Sequence, residues 1–243
     1  MVDPRTSVIN ERLSGIGRII AVSSGKGGVG KSLVATTLAL TLARGGCRVG
    51  LFDLDFTSPS THIILAAGNA KPIEEKGLIP PIVNGLKYMS LIYYVGDQAA
   101  PLRGVDTSNA LIELLAVTRW GKLDFLVIDM PPGIGDAVLD LIRLVGNIEF
   151  LIVTTPSQLA FETVKKFACL LKELKVPILG VLENMKMNEA GKIRVQTERL
   201  GVPFLGEIPF DPKVEEAIGN SAKLLNTTIA EKTSEIAVSL LKK

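Results

Sequence analysis

Apolar and polar positions along the chain fall into blocks that predict alternating strands and helices. Short apolar runs, which predict buried strands, occur at residues 19–22, 47–52, 86–94, 125–128, 149–155, 177–183 and 204–208. Stretches with apolar residues at helical spacing lie between them, chiefly at residues 33–44, 108–117, 157–174 and 229–241. Strands without polar alternation are typical of a parallel sheet that is buried on both faces. The pattern therefore predicts a single doubly wound α/β domain with a mainly parallel central sheet flanked by helices.

The two ends of the chain carry separate expectations. Residues 1–17 contain several turn-forming residues and predict a mobile N-terminal arm, whereas residues 18–243 form the predicted folded domain. Three apolar residues of the arm could dock on the domain or on a partner, or the arm could be disordered: Val8, Ile9 and Leu13. The last helix has one apolar stripe but also carries Glu231 and Glu235, so we expect it to dock on the domain's own sheet and not on a membrane.

Charge and composition exclude several classes of partner. With 27 Lys and Arg against 25 Asp and Glu, the net charge is +2. This balance lacks the excess of basic residues that is typical of a nucleic-acid-binding protein. No apolar run reaches the roughly 18–20 residues of a membrane span, so no stable membrane association is expected. The two cysteines, Cys47 and Cys169, are far apart and unpatterned, which favours a reducing cytoplasm and predicts a core position for Cys169.

Residues 25–32 read GKGGVGKS and match the phosphate-binding pattern G-x-x-x-x-G-K-[S/T] between a predicted strand and a predicted helix. Glycines let successive backbone N–H groups turn toward phosphate oxygens, and the following helix adds its positive N-terminal end. Lys31 is expected to reach the β- and γ-phosphates, and the Ser32 hydroxyl to ligate Mg²⁺. The alternative is a glycine-rich turn that only joins strand to helix. The predicted nucleotide contacts here are Gly25, Lys26, Gly27, Gly28, Val29, Gly30, Lys31, Ser32 and Leu33.

Three aspartates follow predicted strands, at the edge where ligands bind in doubly wound sheets. Asp53 and Asp55 end one apolar run, and we assign Asp55 to orienting the attacking water and Asp53 to the Mg²⁺ shell. Alternatively, one of the two only caps the next helix. Asp129 ends another apolar run and is expected to hold Mg²⁺ through water, close to Ser32.

Lys26, directly after the first glycine of the loop, resembles the signature lysine of the deviant Walker A ATPases, which include MinD, ParA, the nitrogenase iron protein and Mrp. In that superfamily two subunits enclose two ATP molecules, and this lysine crosses to the partner's nucleotide. The resemblance therefore implies ATP and Mg²⁺ as cofactors, a homodimer closed by ATP, and catalytic roles for Lys26, Lys31 and Asp55. Taken alone, Lys26 could also be a solvated surface lysine.

Further motifs are similar to those of Mrp proteins in particular. The segment DMPPGIGD at residues 129–136 resembles the second switch of Mrp, which is suited to sensing the γ-phosphate; the alternative is a rigid connector. The resemblance extends to ENM and GVPFLGEIP, at residues 183–185 and 201–209. It implies that Asn184 contacts the adenine, that the backbone near Pro209 lines its pocket and that Asp211 reaches the ribose. From the residue alone, Asn184 could equally occupy a turn.

The sequence departs from Mrp proteins at the place where those proteins carry iron–sulfur clusters. Mrp-type carriers have C-x-x-C shortly after E-N-M, whereas this chain has no cysteine there, and a [4Fe–4S] cluster needs thiolates. One branch without these cysteines, which this chain resembles, is the archaeal Mrp-type ATPases of [NiFe]-hydrogenase maturation, which work with a nickel-carrying partner protein. We therefore expect an ATP-controlled dimeric switch in nickel insertion. The alternatives are iron–sulfur cluster assembly and MinD- or ParA-like positioning.

Overall fold

The computed structural model describes residues 5–95, 104–187 and 191–242, and strands alternate with helices along the chain. The strands are β1 (Ile16–Ser24), β2 (Val49–Asp53), β3 (Ile73–Glu74), β4 (Leu78–Ile79), β5 (Ile82–Val83), β6 (Leu86–Ser90), β7 (Leu123–Asp129), β8 (Ile148–Thr154), β9 (Ile178–Lys186) and β10 (Phe204–Pro209). The helices are α1 (Arg5–Leu13), α2 (Lys31–Arg44), α3 (Thr61–Ile64), α4 (Ile92–Val95), α5 (Gly104–Val117), α6 (Asp136–Leu144), α7 (Gln158–Glu173), α8 (Lys192–Arg199), α9 (Lys213–Glu216), α10 (Ser221–Leu224) and α11 (Thr228–Leu241).

The main sheet has the strand order β10-β9-β8-β1-β7-β2-β6-β5. Neighbouring strands run parallel except β5 and β6, which form an antiparallel pair at one edge. Strands β3 and β4 make a separate antiparallel hairpin. The predicted α/β fold with a mainly parallel sheet is confirmed. Because β1, β7 and β2 are adjacent, the loops that follow these three strands meet at one edge of the sheet.

Helices cover both faces of the sheet. On one face α1, α5, α6 and α7 surround a core that includes Phe52, Trp120 and Phe150. On the other face α2 and α11 pack over side chains such as Leu51 and Val127. Phe52 and Trp120 meet edge to face, with ring centroids 5.3 Å apart. Burial on both faces explains why the strands read as continuous apolar runs in the sequence.

The N-terminal segment differs from the mobile arm that its composition predicts. Arg5–Leu13 forms helix α1, which packs against α5 and α6. Ile9 and Leu13 are four residues apart, so they lie on the same face of the helix, and both are buried. Of the alternatives left open, docking on the domain is the one that the structure supports for these two residues. The division into an arm of residues 1–17 and a domain of residues 18–243 stays a prediction.

The last helix, α11, docks on the domain as predicted. It packs against α2 and β10 with its apolar stripe inward. Arg18 of β1 holds it in place, because its guanidinium donates two hydrogen bonds to the Glu149 carboxylate, at 2.8 and 2.9 Å, and one to the Leu240 carbonyl oxygen at 2.8 Å. Among the described residues, none of the helices combines the length and apolar character that crossing a bilayer requires.

Two smaller predictions are wrong. The apolar run at residues 86–94 is a strand only as far as Ser90, and α4 follows it after Leu91. Cys169 is exposed and does not belong to the core. Helix α7 is amphipathic, and its inward face at this level is formed by Ala168 and Leu171, which leaves Cys169 toward solvent.

Candidate nucleotide site

The loop between β1 and α2 packs its backbone closely against neighbouring elements. Helix α2 begins at Lys31, and the preceding Gly30 has a φ of 80°, in the left-handed region that favours glycine. A Cβ atom at Gly30 would lie 2.3 Å from Asn184 Nδ2 of β9, and one at Gly25 would lie 2.1 Å from Thr163 Oγ1 of α7. Contacts within the protein alone therefore require glycine at these two positions.

The inner side of the loop borders an open space. A Cβ atom at Gly27 or Gly28 would have no heavy atom of the described residues within 4 Å, and both glycines line a cavity of about 380 Å³. The other walls come from the segment after β2 and the segment after β7, since these strands flank β1 or its neighbour. The lining residues include Ser24, Lys31, Asp55, Ser58, Ser60 and Pro132.

The predicted residues Lys31, Asp55 and Asp129 meet beside this cavity. Lys31 Nζ lies 2.5 Å from Asp129 Oδ1, 3.2 Å from Ser32 Oγ and 3.6 Å from Asp55 Oδ2. Lys31 and Asp129 are 6% and 0% exposed, so this ion pair is almost fully buried. Burial raises the pKa of the Asp129 carboxyl, and the charge of Lys31 acts in the opposite direction.

Asp129 also has an oxygen that is suited to a metal ion. Its Oδ2 atom is buried and has no hydrogen-bond partner among the described residues. A buried polar atom without a partner costs free energy, which a bound cation or water would recover. Together with Ser32 Oγ, it offers hard oxygen ligands of the kind that Mg²⁺ prefers. The residues therefore fit the Mg²⁺ ion expected from the sequence.

Asp55 holds the loop after β2 with one oxygen and faces Lys31 with the other. Its Oδ1 accepts hydrogen bonds from Thr57 Oγ1 at 2.7 Å and from the backbone N–H groups of Thr57 and Ser58 at 3.3 and 3.1 Å. Oδ2 is the oxygen that lies 3.6 Å from Lys31 Nζ. Because Oδ1 fixes the carboxylate, Oδ2 is left for a group at the cavity, such as an attacking water.

Asp53, in contrast, uses both carboxylate oxygens within the protein. Oδ1 accepts from the backbone N–H of Asp55 at 3.0 Å, and Oδ2 accepts from Thr61 Oγ1 at 2.6 Å and from the Thr61 N–H at 3.3 Å. Burial and the nearby Asp129 charge raise the pKa of Asp53 to about 7. These contacts favour the alternative in which one of the two aspartates caps the next helix, here α3. The Mg²⁺ role of Asp53 stays a prediction.

The segment after β7 is attached to β1 at two points. The Met130 N–H donates to the Val22 carbonyl oxygen at 3.1 Å, and the Gly133 N–H donates to the Ser24 carbonyl oxygen at 2.8 Å. Pro132 between them borders the cavity. The predicted second switch therefore borders the cavity, and both its contact with a γ-phosphate and its movement stay predictions.

Lys26 lies at the rim of the same cavity. Its side chain is exposed, and its backbone carbonyl oxygen accepts a hydrogen bond from Ser24 Oγ at 2.9 Å. This bond fixes the backbone of the loop at Lys26 while the ammonium group extends into solvent. An exposed lysine suits both a contact with a partner subunit and simple solvation, so its cross-subunit role stays a prediction.

A second cavity, of about 290 Å³, adjoins the first through Leu33 and contains the residues predicted around adenine. Asn184 is buried, and its Nδ2 donates to the Val29 carbonyl oxygen at 2.9 Å. This bond orients the amide, so that Oδ1 is left as a hydrogen-bond acceptor for a ligand. Pro209 also lines the cavity. An acceptor here would suit the amino group of adenine, and the adenine contact of Asn184 stays a prediction.

Asp211 lines this cavity but has a structural task as well. Its Oδ1 accepts from the Lys213 N–H at 2.9 Å, and its Oδ2 accepts from Thr228 Oγ1 at 3.3 Å, so it caps α9 and links it to α11. Its predicted ribose contact stays a prediction. Sequence reasoning missed the other apolar walls, because single apolar residues from separate strands, helices and connections form no motif: Met185, Phe210, Pro212, Val214 and Ile229.

A strand–loop–helix unit with a buried lysine–aspartate pair beside the loop, at the edge of a parallel sheet, defines a P-loop nucleotide-binding protein. The family model for the NUBPL iron-transfer P-loop NTPases, within the ParA group, matches residues 15–243, and the chain belongs to this family. The expected membership of the Mrp/MinD group is thereby confirmed.

Several named proteins are similar to this chain. The iron–sulfur cluster carrier protein of Aquifex aeolicus is 36% identical over 95% of this chain and 67% of its own length. That of Methanocaldococcus jannaschii is 36% identical over 97% of this chain and 88% of its own length. Among solved structures, a nucleotide-binding protein of Archaeoglobus fulgidus, in complex with ADP and with cobalt present, has a TM-score of 0.77 at 32% identity and covers 90% of this chain and 92% of its own. The cell division ATPase MinD of Pyrococcus furiosus shares the fold, with a TM-score of 0.71 at 21% identity. That match covers 93% of this chain and 99% of the MinD chain.

Proposed function

We propose that this chain is a Mg²⁺-dependent ATPase that acts as an ATP-controlled dimeric switch in iron–sulfur cluster assembly. The observation that carries the proposal is the buried Lys31–Asp129 pair beside the phosphate loop, with Asp129 Oδ2 left for a cation. The relatives named as iron–sulfur cluster carriers support the cargo class, and the neighbour bound to ADP supports the nucleotide. The nickel-insertion role expected from the sequence finds no support among these relatives, so the iron–sulfur alternative takes its place.

Nucleotide binding changes the partners of Lys31. In the structure, its ammonium group lies 2.5 Å from Asp129 Oδ1. Phosphate oxygens in the cavity would compete for the same group, because a triphosphate carries more negative charge than one aspartate. Asp129 and Ser32 would then be available to Mg²⁺, which neutralises charge on the phosphates when it is bound. The remaining ligands of the ion would be phosphate oxygens and water.

Hydrolysis would depend on Asp55, which lines the cavity from the segment after β2. Asp55 Oδ2 would accept a hydrogen bond from the attacking water and orient it toward the γ-phosphate. Lys31 would stabilise the charge that develops on the transferred phosphoryl group. Lys26, exposed at the rim, would reach the nucleotide of the second subunit, so that each site is completed only in the dimer. Release of phosphate would free the segment after β7 and open the dimer.

The cluster itself is cargo and needs thiolates from another protein. The sequence holds two cysteines. Cys47 precedes β2 and is half-buried, and burial followed by the Asp124 charge raises its pKa. Cys169 lies on α7, which covers the opposite face of the sheet from α2. The two thiols therefore cannot bind one cluster within a subunit, and we infer that client or scaffold proteins supply the ligands.

Two assays test the proposal. Purified chain should release phosphate from Mg·ATP, and Lys31→Ala should abolish both binding and release. In the second assay, a cluster-loaded scaffold protein and an apo-enzyme that needs a [4Fe–4S] cluster are mixed anaerobically, with and without the chain and ATP. We expect ATP to accelerate recovery of enzyme activity with the wild-type chain and not with Lys31→Ala. Equal recovery without the chain would contradict the cluster role, and ATP-dependent activation of a nickel-dependent apo-enzyme alone would restore the nickel role.

A further inference from the structure

We propose that Thr61 and Tyr88 are positioning residues for ATP hydrolysis, because they hold Asp53 and, through Asp53, the aspartate that faces the attacking water. This inference rests on the proposed ATPase activity. Neither residue belongs to a nucleotide motif, and neither lines the phosphate cavity. Their role follows from a continuous series of hydrogen bonds that begins in the sheet and ends at Asp55.

The direction of each hydrogen bond follows from the number of protons. Thr61 Oγ1 lies 2.6 Å from Asp53 Oδ2 and 2.8 Å from Tyr88 Oη. The Thr61 hydroxyl donates its one proton to Asp53 Oδ2. It can therefore only accept from Tyr88, whose hydroxyl donates to Thr61. The Tyr88 oxygen also interacts with the Ser90 hydroxyl, which leaves each oxygen of this series with a partner.

The series is attached to a rigid part of the protein. Strand β6 pairs with β2 in parallel, with Leu51 opposite Tyr88 and Asp53 opposite Ser90. Tyr88 therefore lies on the neighbouring strand, two residues before the position opposite Asp53. Thr61 and Tyr88 are both fully buried. The Tyr88 ring is further fixed by an edge contact with Tyr93, at 5.7 Å between centroids. Buried, packed side chains keep one rotamer, so they can hold the carboxylate in one orientation.

Asp53 in turn positions the start of the loop after β2, which carries Asp55. Its Oδ1 accepts the Asp55 N–H at 3.0 Å, which fixes the backbone from which the Asp55 side chain extends. Without the Thr61 hydroxyl, Asp53 Oδ2 would keep only the Thr61 N–H at 3.3 Å, a longer hydrogen bond. The Asp53 carboxylate could then rotate, and Asp55 would move relative to Lys31. A shift of about 1 Å in a catalytic group can lower a rate by roughly 100-fold.

The first test separates turnover from binding. Thr61→Val keeps the shape of the side chain and removes the hydroxyl, and we expect kcat to fall by about 10- to 100-fold. The Kd of a non-hydrolysable ATP analogue should stay within about twofold, because phosphate and adenine contacts are unchanged. Thr61→Ser should restore kcat, and Tyr88→Phe should give an intermediate loss. The matched control is Thr233→Val, another buried threonine, which lies on α11.

Hydrogen exchange gives a second readout that needs no turnover. The backbone N–H groups of Asp55 and Thr61 should exchange faster in Thr61→Val and Tyr88→Phe, and at the wild-type rate in Thr61→Ser and Thr233→Val. Wild-type kcat in Thr61→Val, equal losses of kcat and nucleotide affinity, or unchanged exchange would each overturn the inference. A wild-type chain without hydrolysis would instead refute the proposed ATPase, whereas a hydrolysing wild type with fully active variants would refute only this inference.

Discussion

Replacing Lys31 with methionine should destabilise the nucleotide-free protein by about 3 kcal/mol near neutral pH. Methionine has a similar length but no charge, so the buried Asp129 carboxylate would lose its cation, and its Oδ2 already lacks a hydrogen-bond partner in the described part of the chain. Breaking a buried ion pair costs about 3–5 kcal/mol, and we take the lower end because Ser32 stays near Asp129. For a chain of this size that loss lowers Tm by roughly 6–12 °C.

The loss should depend on pH in a defined direction. Without Lys31, the pKa of folded Asp129 rises further above the value of about 3.9 in the unfolded chain. A carboxyl whose pKa is raised in the folded state costs stability only where it would ionise in the unfolded chain, so the deficit is small near pH 4, grows as pH rises toward the folded pKa and levels off above it. Urea denaturation without nucleotide or Mg²⁺, repeated between pH 4.5 and 8, measures this dependence.

The double variant Lys31→Met/Asp129→Asn is the matched control for this prediction. It removes the cation and the buried negative charge together, so most of the lost stability should return and the pH dependence should flatten. A Lys31→Met protein that is as stable as wild type at pH 7.5, or a deficit that is equal at all pH values, would refute the reasoning.

Four further predictions follow from contacts already described. Arg18→Ala removes the two bonds to Glu149 and the bond to the Leu240 carbonyl oxygen that anchors the last helix, and should cost about 2 kcal/mol in urea denaturation; a loss below about 0.5 kcal/mol would contradict the anchoring role. Gly30→Ala should weaken Mg·ATP binding more than about tenfold, because the new Cβ displaces Asn184, whereas Gly146→Ala, in open space, should bind normally in the same titration. Lys26→Ala should bind ATP yet stay monomeric by light scattering, and an ATP-dependent dimer would argue for a merely solvated lysine. Asn184→Ala should weaken the binding of ATP by about tenfold and change the binding of GTP little in competition experiments. Equal losses of affinity for the two nucleotides would contradict the adenine contact.

The phosphate site was predictable because its information is local. Eight consecutive residues between a strand and a helix specify the loop, and the strand that ends in Asp129 is adjacent to β1 in the sheet. The position of Asp129 close to Ser32 follows from these two motifs, whereas the ion pair of Lys31 with Asp129 was not predicted. Most apolar walls of the nucleoside cavity were not predictable, because Met185, Phe210 and Val214 come from β9, the segment after β10 and α9, and share no pattern.

The first helix was also missed, for a different reason. The segment before β1 is short and polar, and its apolar residues predict a helix only if a surface exists to receive them. Helices α5 and α6, more than 90 residues later in the chain, provide that surface for Ile9 and Leu13. Composition therefore indicated mobility, whereas a distant contact determines the conformation.

The two aspartates of the first switch best illustrate what the sequence leaves open. Asp53 and Asp55 are alike in chemistry and two residues apart, and both were predicted to serve the nucleotide directly. The strand ends at Asp53, and the bond from the Asp55 N–H to Asp53 Oδ1 turns the chain there, so only Asp55 presents an oxygen toward Lys31. The difference between them comes from Thr61, eight residues after Asp53, whose hydroxyl donates a hydrogen bond to Asp53 Oδ2. A motif can thus identify the residue types of a loop, but a buried neighbour outside the motif decides which carboxylate keeps an oxygen directed toward the cavity.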